Sequence, residues 1–276
     1  MSEEFYLNQI KKCVTFVFHE KSNQQVEARG TGFFVGLKLD GDYYAVYFVT
    51  AKHVLWKPGT EEFYDKVLLR LNTKKGSVEY IELELFKHRI LIHPDKGVDL
   101  AATILCPPQD YYDYLYLSQD YFTTSDILAE KKIREGSRAF FAGLLANFAY
   151  GKQKNYPAIR FGYVSLLTHE KIEIVKTNGS TLSGNFYLVE CQSLGGFSGS
   201  PVFFERERIE PKKIWHTPEI YLGGVMLGHF NDIEALEKGH ELNVGLAWVT
   251  PCYLLEELLQ TEEARKDREM NQVHRG

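Results

Sequence analysis

A serine hydroxyl is a weak nucleophile at neutral pH. It needs a base within hydrogen-bond reach, and imidazole suits that task. The base in turn needs a carboxylate on its other ring nitrogen to fix its tautomer and stabilise the cation it becomes. The chain offers one candidate for each role, in the order His, Asp, Ser. His53 stands in Thr50-Ala51-Lys52-His53-Val54-Leu55, directly after an apolar run. Asp99 stands in Val98-Asp99-Leu100-Ala101, at the start of another. Ser198 stands in Gly195-Gly196-Phe197-Ser198-Gly199-Ser200-Pro201-Val202, a glycine-rich turn running into a strand. Glycines there suit a further requirement, backbone N–H groups turned toward a developing oxyanion, because glycine tolerates unusual dihedrals. Taken singly, each feature has an ordinary explanation: a packed histidine, a strand-entry cap, a tight turn. Their joint occurrence favours the catalytic one.

The elements around these residues are mostly strands. Extended runs fall near 12–19, 30–38, 43–50, 66–71, 78–86 and 100–105, and again near 137–143, 158–167, 186–191, 200–204, 220–227 and 243–250. Tyr43 to Thr50 is aromatic and β-branched, as a pleated surface prefers. In 78–86, Ile81, Leu83 and Leu85 share one face, and Glu82 and Glu84 the other, which is a period of two. Asp40-Gly41-Asp42 and Asn178-Gly179 punctuate the gaps. A connector, 107–135, begins at Pro107-Pro108 and divides the twelve runs into two groups of six. Ser2 to Lys12 fits a short helix. Pro251 opens a second, in which Leu254, Leu255, Leu258 and Leu259 form one apolar stripe. Two closed barrels would remove the sheet edges that twelve strands otherwise leave.

Composition narrows the classes. With 276 residues, 44% apolar and 14% aromatic, the chain can bury a substantial core and is not disordered. It contains no apolar stretch long enough to cross a bilayer as a helix, so no membrane association is expected. The net charge of -5 argues against a nucleic-acid partner. The mixed run Glu262 to Arg268 fits a solvated helix face. Cys13, Cys106, Cys191 and Cys252 are scattered, without zinc spacing. With an acidic N-terminus lacking a signal-peptide pattern, they suggest reduced thiols and a cytoplasmic location. His88 and His93 make a poor metal pair. His93-Pro94-Asp95 matches the tripeptide of J-domain cochaperones but lacks their helical hairpin.

These segments resemble the chymotrypsin/trypsin-type serine peptidases, especially the bacterial trypsin-like and HtrA-type branch. The resemblance runs through Gly30-Thr31-Gly32-Phe33-Phe34-Val35, Thr-Ala-Lys-His, Val-Asp-Leu-Ala, Gly136–Gly143 and Gly162-Tyr163-Val164-Ser165. It closes with Gly-Phe-Ser-Gly-Ser-Pro-Val, Leu222–Gly228 and Gly245-Leu246-Ala247, and so spans roughly residues 12 to 260. It implies an all-β fold of two six-stranded antiparallel β-barrels with a C-terminal α-helix. Residues 1–120 would form the barrel carrying His and Asp, 121–250 the barrel carrying Ser, and 251–276 the helix and tail. Ser198 matches the nucleophile, His53 the base and Asp99 the orienting carboxylate. Gly196 and Ser198 match the oxyanion-hole donors. The implied activity is a serine endopeptidase working through an acyl-enzyme, without cofactor or metal, on a protein or peptide substrate. A regulatory protein partner is a possible addition, because no sensor domain is appended. The alternative is a peptide-binding module on the same fold with little turnover.

The chain also departs from that family. Phe197 replaces the aspartate that pairs with a freed N-terminus in secreted digestive members, and Ser200 replaces a commoner glycine. Met226 or Leu227 stands where a serine often supports the triad carboxylate. Glu205–Glu219 is a charged insertion, either a surface loop or a contact for substrate or partner. By resemblance the S1 pocket has Gln192 at its base, with Ser193 beside it. Its walls come from Leu227, Gly228 and His229 and from Asn243 to Gly245. With no aspartate at the base, a substrate Arg or Lys lacks a partner, and an uncharged P1 side chain is expected.

Overall fold

The computed structural model describes residues 3–21, 25–39, 43–145, 153–175, 181–192, 195–206, 219–231 and 243–273. The first half supplies β1 (Val14–Glu20), β2 (Val26–Lys38), β3 (Tyr44–Thr50), β4 (Lys66–Asn72), β5 (Val78–Glu84), β6 (Leu91–Ile92), β7 (Ala101–Ile104) and β8 (Leu117–Ser118). They form one sheet in the order β5-β4-β1-β2-β3-β7-β6, with β8 parallel to β2. The second half supplies β9 (Arg138–Gly143), β10 (Ala158–Leu166), β11 (Ile172–Val175), β12 (Thr181–Gly184), β13 (Tyr187–Glu190), β14 (Pro201–Arg206), β15 (Glu219–Asn231) and β16 (Asn243–Pro251). Six of these close an antiparallel barrel in the order β10-β13-β16-β15-β14-β9, and β11 and β12 pair as a separate hairpin.

All twelve predicted strands are present. The four additional ones, β6, β8, β11 and β12, have two to four residues each, too short to show a period. β2 begins at Val26, four residues before its predicted start. Within the connector, Ser125–Lys131 is a helix that the sequence reading missed. Thr124 Oγ1 accepts from the Ile127 amide at its start. At seven residues it has no room for an apolar stripe.

The continuous apolar runs of β1 to β3 have a structural cause, since each strand is buried on both faces. Val14, Phe16, Phe18, Phe33, Val35, Ala45, Tyr47 and Val49 point into a core shared with the second half and the C-terminal helix. Val17, Phe34, Val46 and Phe48 point into the interior of the first sheet. The period of two is therefore intact, but its two faces serve two cores. A third cluster, with Phe141, Val164, Val189, Val202, Phe204, Met226 and Val249, fills the closed barrel.

The helices follow the sequence in part. Glu3–Cys13 is helical, and Cys252–Gln260 buries Leu254, Leu255, Leu258 and Leu259. The charged run continues as a helix, Glu262–Val273, but it is not simply solvated. Ala264 is fully buried, and Arg268 Nη1 donates to the Tyr47 hydroxyl at 3.0 Å and the Leu259 carbonyl at 2.7 Å. Asp267 is buried beside them, and burial raises its carboxyl above the usual range against the pull of Arg89. The helix docks on β3, so one face of the charged run had to turn inward. All four cysteines are free thiols. No helix among the described residues is long and apolar enough to cross a membrane.

Candidate active site

His53 lies in a short 3-10 turn, Lys52–Leu55, immediately after β3. Val54 and Leu55 are buried in the first sheet's interior and anchor that turn. Asp99 lies two residues before β7. Because β7 pairs antiparallel with β3, with Ala101 opposite Thr50, the register brings residues 53 and 99 side by side. His53 Nδ1 is 2.6 Å from Asp99 Oδ2, and the His53 backbone N–H donates to Asp99 Oδ1 at 2.9 Å. Burial opposes ionisation of Asp99. The His53 ring, the two hydrogen bonds and the Lys52 ammonium outweigh it, and the carboxyl is held below its usual range. An ionised carboxylate can only accept, so Nδ1 carries a proton, and Nε2 is the ring nitrogen left for a second partner. The His53 side chain is 37% exposed, so the ring is reachable from solvent.

The serine turn is pinned from both halves of the molecule. Thr31, on β2, donates from its amide to the Ser198 carbonyl at 2.8 Å. Its Oγ1 donates to the Gly196 carbonyl at 2.7 Å and accepts from the Leu144 amide at 2.9 Å. On the other side the Gly199 amide donates to the Met226 carbonyl at 2.7 Å. Phe197 is buried in the closed barrel, edge-on to Phe141 at 4.9 Å. Gly196 and Gly199 have φ of +100° and +85°, which favour glycine. At Gly199 a Cβ would also collide with Thr50 Oγ1 and crowd the Ala51 amide. The turn thus packs directly against the segment leading into His53. Neither the Gly196 nor the Ser198 amide has an acceptor among the described residues.

Ser198 Oγ donates to the Leu227 carbonyl at 2.8 Å, and among the described residues it makes no hydrogen bond to His53. Leu227 and Met226 flank the nucleophile in place of a supporting serine. Leu227 packs with Ala51, Val54 and Leu55, and Met226 fills the closed barrel. Asp99 draws its hydrogen bonds from His53 alone among the described residues. Lys52 Nζ instead holds the loop before it, donating to the Lys96 and Val98 carbonyls at 3.4 and 3.3 Å.

Of the other predicted residues, Gln192 is exposed and accepts from Arg160, through its carbonyl at 3.1 Å and its Oε1 at 3.3 Å. Among the described residues, nothing lies within reach of a Cβ placed on Gly228 or Gly245, and Gly245 has φ of +81°. Ser193 and the side chain of His229 lie outside the described residues, as does most of the charged insertion. At the insertion's edge Glu205 is buried, bonded by Tyr6 and paired with Arg138 at 3.2 Å. No cluster of three metal-ligating side chains occurs among the described residues.

Sequence reasoning missed Thr31, Lys52 and Arg160. The signal for Thr31 was its place between Gly30 and Gly32. A Cβ on Gly30 would meet the Ser198 carbonyl at 2.8 Å, so this stretch of β2 must come close to the turn. Thr31→Val would leave the buried Leu144 amide unpaired and release the Gly196 carbonyl. We expect a stability loss of about 1–3 kcal/mol. If the site is catalytic, kcat should fall on the order of 10²-fold while KM changes little, because the turn loses its placement. Thr31→Ser, which keeps the hydroxyl, should restore both in thermal melts and peptide turnover. An unchanged kcat in the valine variant would remove the positioning role.

The architecture has known counterparts. The active form of the Rv3671c protease from M. tuberculosis superposes with a TM-score of 0.50 at 14% identity, covering 94% of this chain and 86% of that one. The thermostable serine protease AL20 from an extremophilic microorganism gives 0.49 at 11% identity, covering 90% and 95%. Human heparin binding protein gives 0.48 at 11% identity, covering 90% and 89%. No protein-family profile matches the chain, and no curated protein matches it by sequence. The fold is that of the chymotrypsin-like serine proteases. At these identities the likeness is one of fold.

Proposed function

We propose that the chain is a serine endopeptidase, with Ser198 as nucleophile, His53 as base and then acid, and Asp99 as the carboxylate that orients the ring. The single observation that carries this reading is the His53–Asp99 pair, with Nδ1 protonated against a half-buried carboxylate 2.6 Å away, beside the pinned Ser198 turn. In the proposed reaction the serine side chain rotates from the Leu227 carbonyl toward Nε2. Nε2 takes the hydroxyl proton as Oγ attacks the scissile carbonyl. The oxyanion then lies against the Gly196 and Ser198 amides, a pair of donors whose individual removal typically costs about 10²–10³-fold. The imidazolium, stabilised by Asp99, returns its proton to the leaving amine. Water, activated by the same base, hydrolyses the acyl-enzyme. No step calls for a cofactor.

One observation favours the alternative, a peptide-binding module with little turnover: Ser198 Oγ is engaged by Leu227 rather than by His53. A fluorophosphonate separates the two, since it reacts only with an activated serine. We expect rapid labelling of the full chain, lost in Ser198→Ala. We also expect equal labelling and peptide turnover from a chain with an N-terminal extension. Phe197, buried against Phe141, offers no carboxylate for a freed ammonium. Absence of labelling would support the binding module, and labelling confined to a cleaved form would overturn the role given to Phe197.

A further inference from the structure

We propose that Lys52 is a positioning residue for the His53–Asp99 pair. Its buried ammonium holds the peptide that carries Asp99 and gives that carboxylate the support that Met226 and Leu227 cannot. The proposal rests on the peptidase reading above and assigns the side chain that holds its dyad in place.

Lysine is among the side chains least often buried, because its ammonium gives up hydration. Lys52 is nonetheless only 8% exposed. Its Nζ donates to the Val98 carbonyl at 3.3 Å and to the Lys96 carbonyl at 3.4 Å, and it lies 5.2 Å from the centre of the Trp56 ring. Both bonds are long, so the ammonium acts chiefly as a charge against two carbonyl dipoles and an aromatic face. A methionine would fill about the same space without the cost of desolvating a charge. The cation therefore calls for a use beyond packing.

The connections around Lys52 close a ring. The Val98 carbonyl belongs to the peptide bond that joins Val98 to Asp99. A peptide is planar, so holding that oxygen also holds the Asp99 amide and Cα. The Asp99 side chain reaches back, and its Oδ1 accepts from the His53 backbone N–H at 2.9 Å. His53 follows Lys52 in the chain, so the ring returns to the residue where it began. Oδ2 is thereby set 2.6 Å from His53 Nδ1. The outer turn of the same loop has anchors of its own. Asp95 Oδ1 accepts from the Gly97 amide at 2.9 Å, and Asp95 Oδ2 pairs with Lys171 at 2.7 Å. Lys52 acts one step further in, on the peptide next to Asp99.

Charge adds a second effect. Burial opposes the ionised form of Asp99, and the Lys52 ammonium joins His53 and its hydrogen bonds in favouring it. In the family this chain resembles, a serine often supports the carboxylate. Here the corresponding residues are apolar and committed to packing, Leu227 with Val54 and Leu55, and Met226 in the closed barrel. Lys52 supplies by charge and by backbone placement what that serine supplies by a hydrogen bond. Without it, Asp99 is free to drift from Nδ1, and the ring loses the partner that fixes its tautomer and its aim at Ser198.

The test uses Lys52→Met, Lys52→Gln and Lys52→Arg in the full chain, each checked for folding by its thermal midpoint. Lys52→Met should lower kcat by about 10²-fold while KM changes by less than about threefold. Fluorophosphonate labelling should slow in proportion, since it reports activation of Ser198 without peptide binding. Lys52→Gln, a neutral donor, should fare little better, and Lys52→Arg, which keeps the charge, should recover part of the loss. Proton NMR separates positioning from a general loss of stability. The Nδ1 proton shared with Asp99 should give a far-downfield line in wild type and none in Asp99→Asn. In folded Lys52→Met that line should broaden or vanish. If Lys52→Met does not fold, Lys52→Gln carries the same readings. A neutral variant that is folded and keeps kcat and labelling within about threefold of wild type overturns the proposal and leaves the peptidase reading intact. If wild type neither labels nor cleaves, it is the peptidase reading that fails, and the proton line alone judges Lys52. Its loss in the neutral variant supports the positioning role, and its absence from wild type or its persistence in the variant overturns it.

Discussion

Ser198→Ala and His53→Ala should each lower peptide turnover by about 10⁶-fold, and the double variant should lose little more. The reason is the division of one proton transfer between two atoms. Without His53 Nε2, the Ser198 hydroxyl stays protonated and attacks slowly. Without Ser198 Oγ, the imidazole has no proton to take. Either loss removes the whole step, so the effects cannot multiply. What survives in each variant is the contribution of the Gly196 and Ser198 amides and of substrate binding, which leaves residual catalysis above water. The variants should remain folded. His53 is 37% exposed, and its removal opens no closed core. The turn around Ser198 is held by the Thr31 and Met226 backbones, not by the hydroxyl. Turnover of a peptide pool, measured beside thermal unfolding for the three variants, checks the expectation. Near-wild-type activity in either single variant, or losses that add in free energy, would remove the assignment.

The fold was legible where a period or a punctuation mark exposed it. Ile81, Leu83 and Leu85 alternate with Glu82 and Glu84, and the first three turn into the sheet interior. β1 to β3 gave apolar runs because two cores take their two faces, a pattern that marks a strand without telling which core owns which residue. β6 and β8 could not be seen, since two residues carry no period. The dyad was legible from residue type and order, because chemistry restricts which side chains can do the work. Its supports were not. Thr31 and Lys52 act through backbone carbonyls at 2.7 to 3.4 Å, and carbonyls leave no mark in a sequence. Arg160 lies thirty-two positions from Gln192, so only the closure of the barrel joins them. The inward face of Glu262–Val273 was hidden for a related reason. The inward turn of Arg268 depends on Tyr47, more than two hundred residues away.

Asp99→Asn should lower turnover by about 10⁴-fold, the scale expected when a triad histidine takes the wrong tautomer. The geometry shows why this is more than a lost charge. The His53 backbone N–H is a fixed donor and points at Oδ1, while the ring Nδ1 faces Oδ2. An asparagine can offer only one oxygen. If it faces the backbone amide, its NH₂ meets the ring, Nδ1 must present a lone pair, and the proton moves to Nε2. A protonated Nε2 cannot accept from Ser198. If the oxygen faces the ring instead, two N–H donors oppose each other across the backbone contact. Stability carries a pH signature of the same pair. The Asp99 carboxyl is held below its usual range in the folded chain. Its ionised form therefore stabilises the fold fully above the ordinary carboxylate pKa of about 3.9, and that stabilisation is lost as pH falls through the lowered value. The side-chain amide of the Asp99→Asn variant has nothing to titrate. The gap in thermal midpoint between wild type and Asp99→Asn should then be widest near neutrality and shrink progressively in acid. A gap independent of pH, or an Asp99→Asn enzyme within tenfold of wild type (about 1.4 kcal/mol), would mean that Asp99 is a loop cap and not the partner of the catalytic histidine.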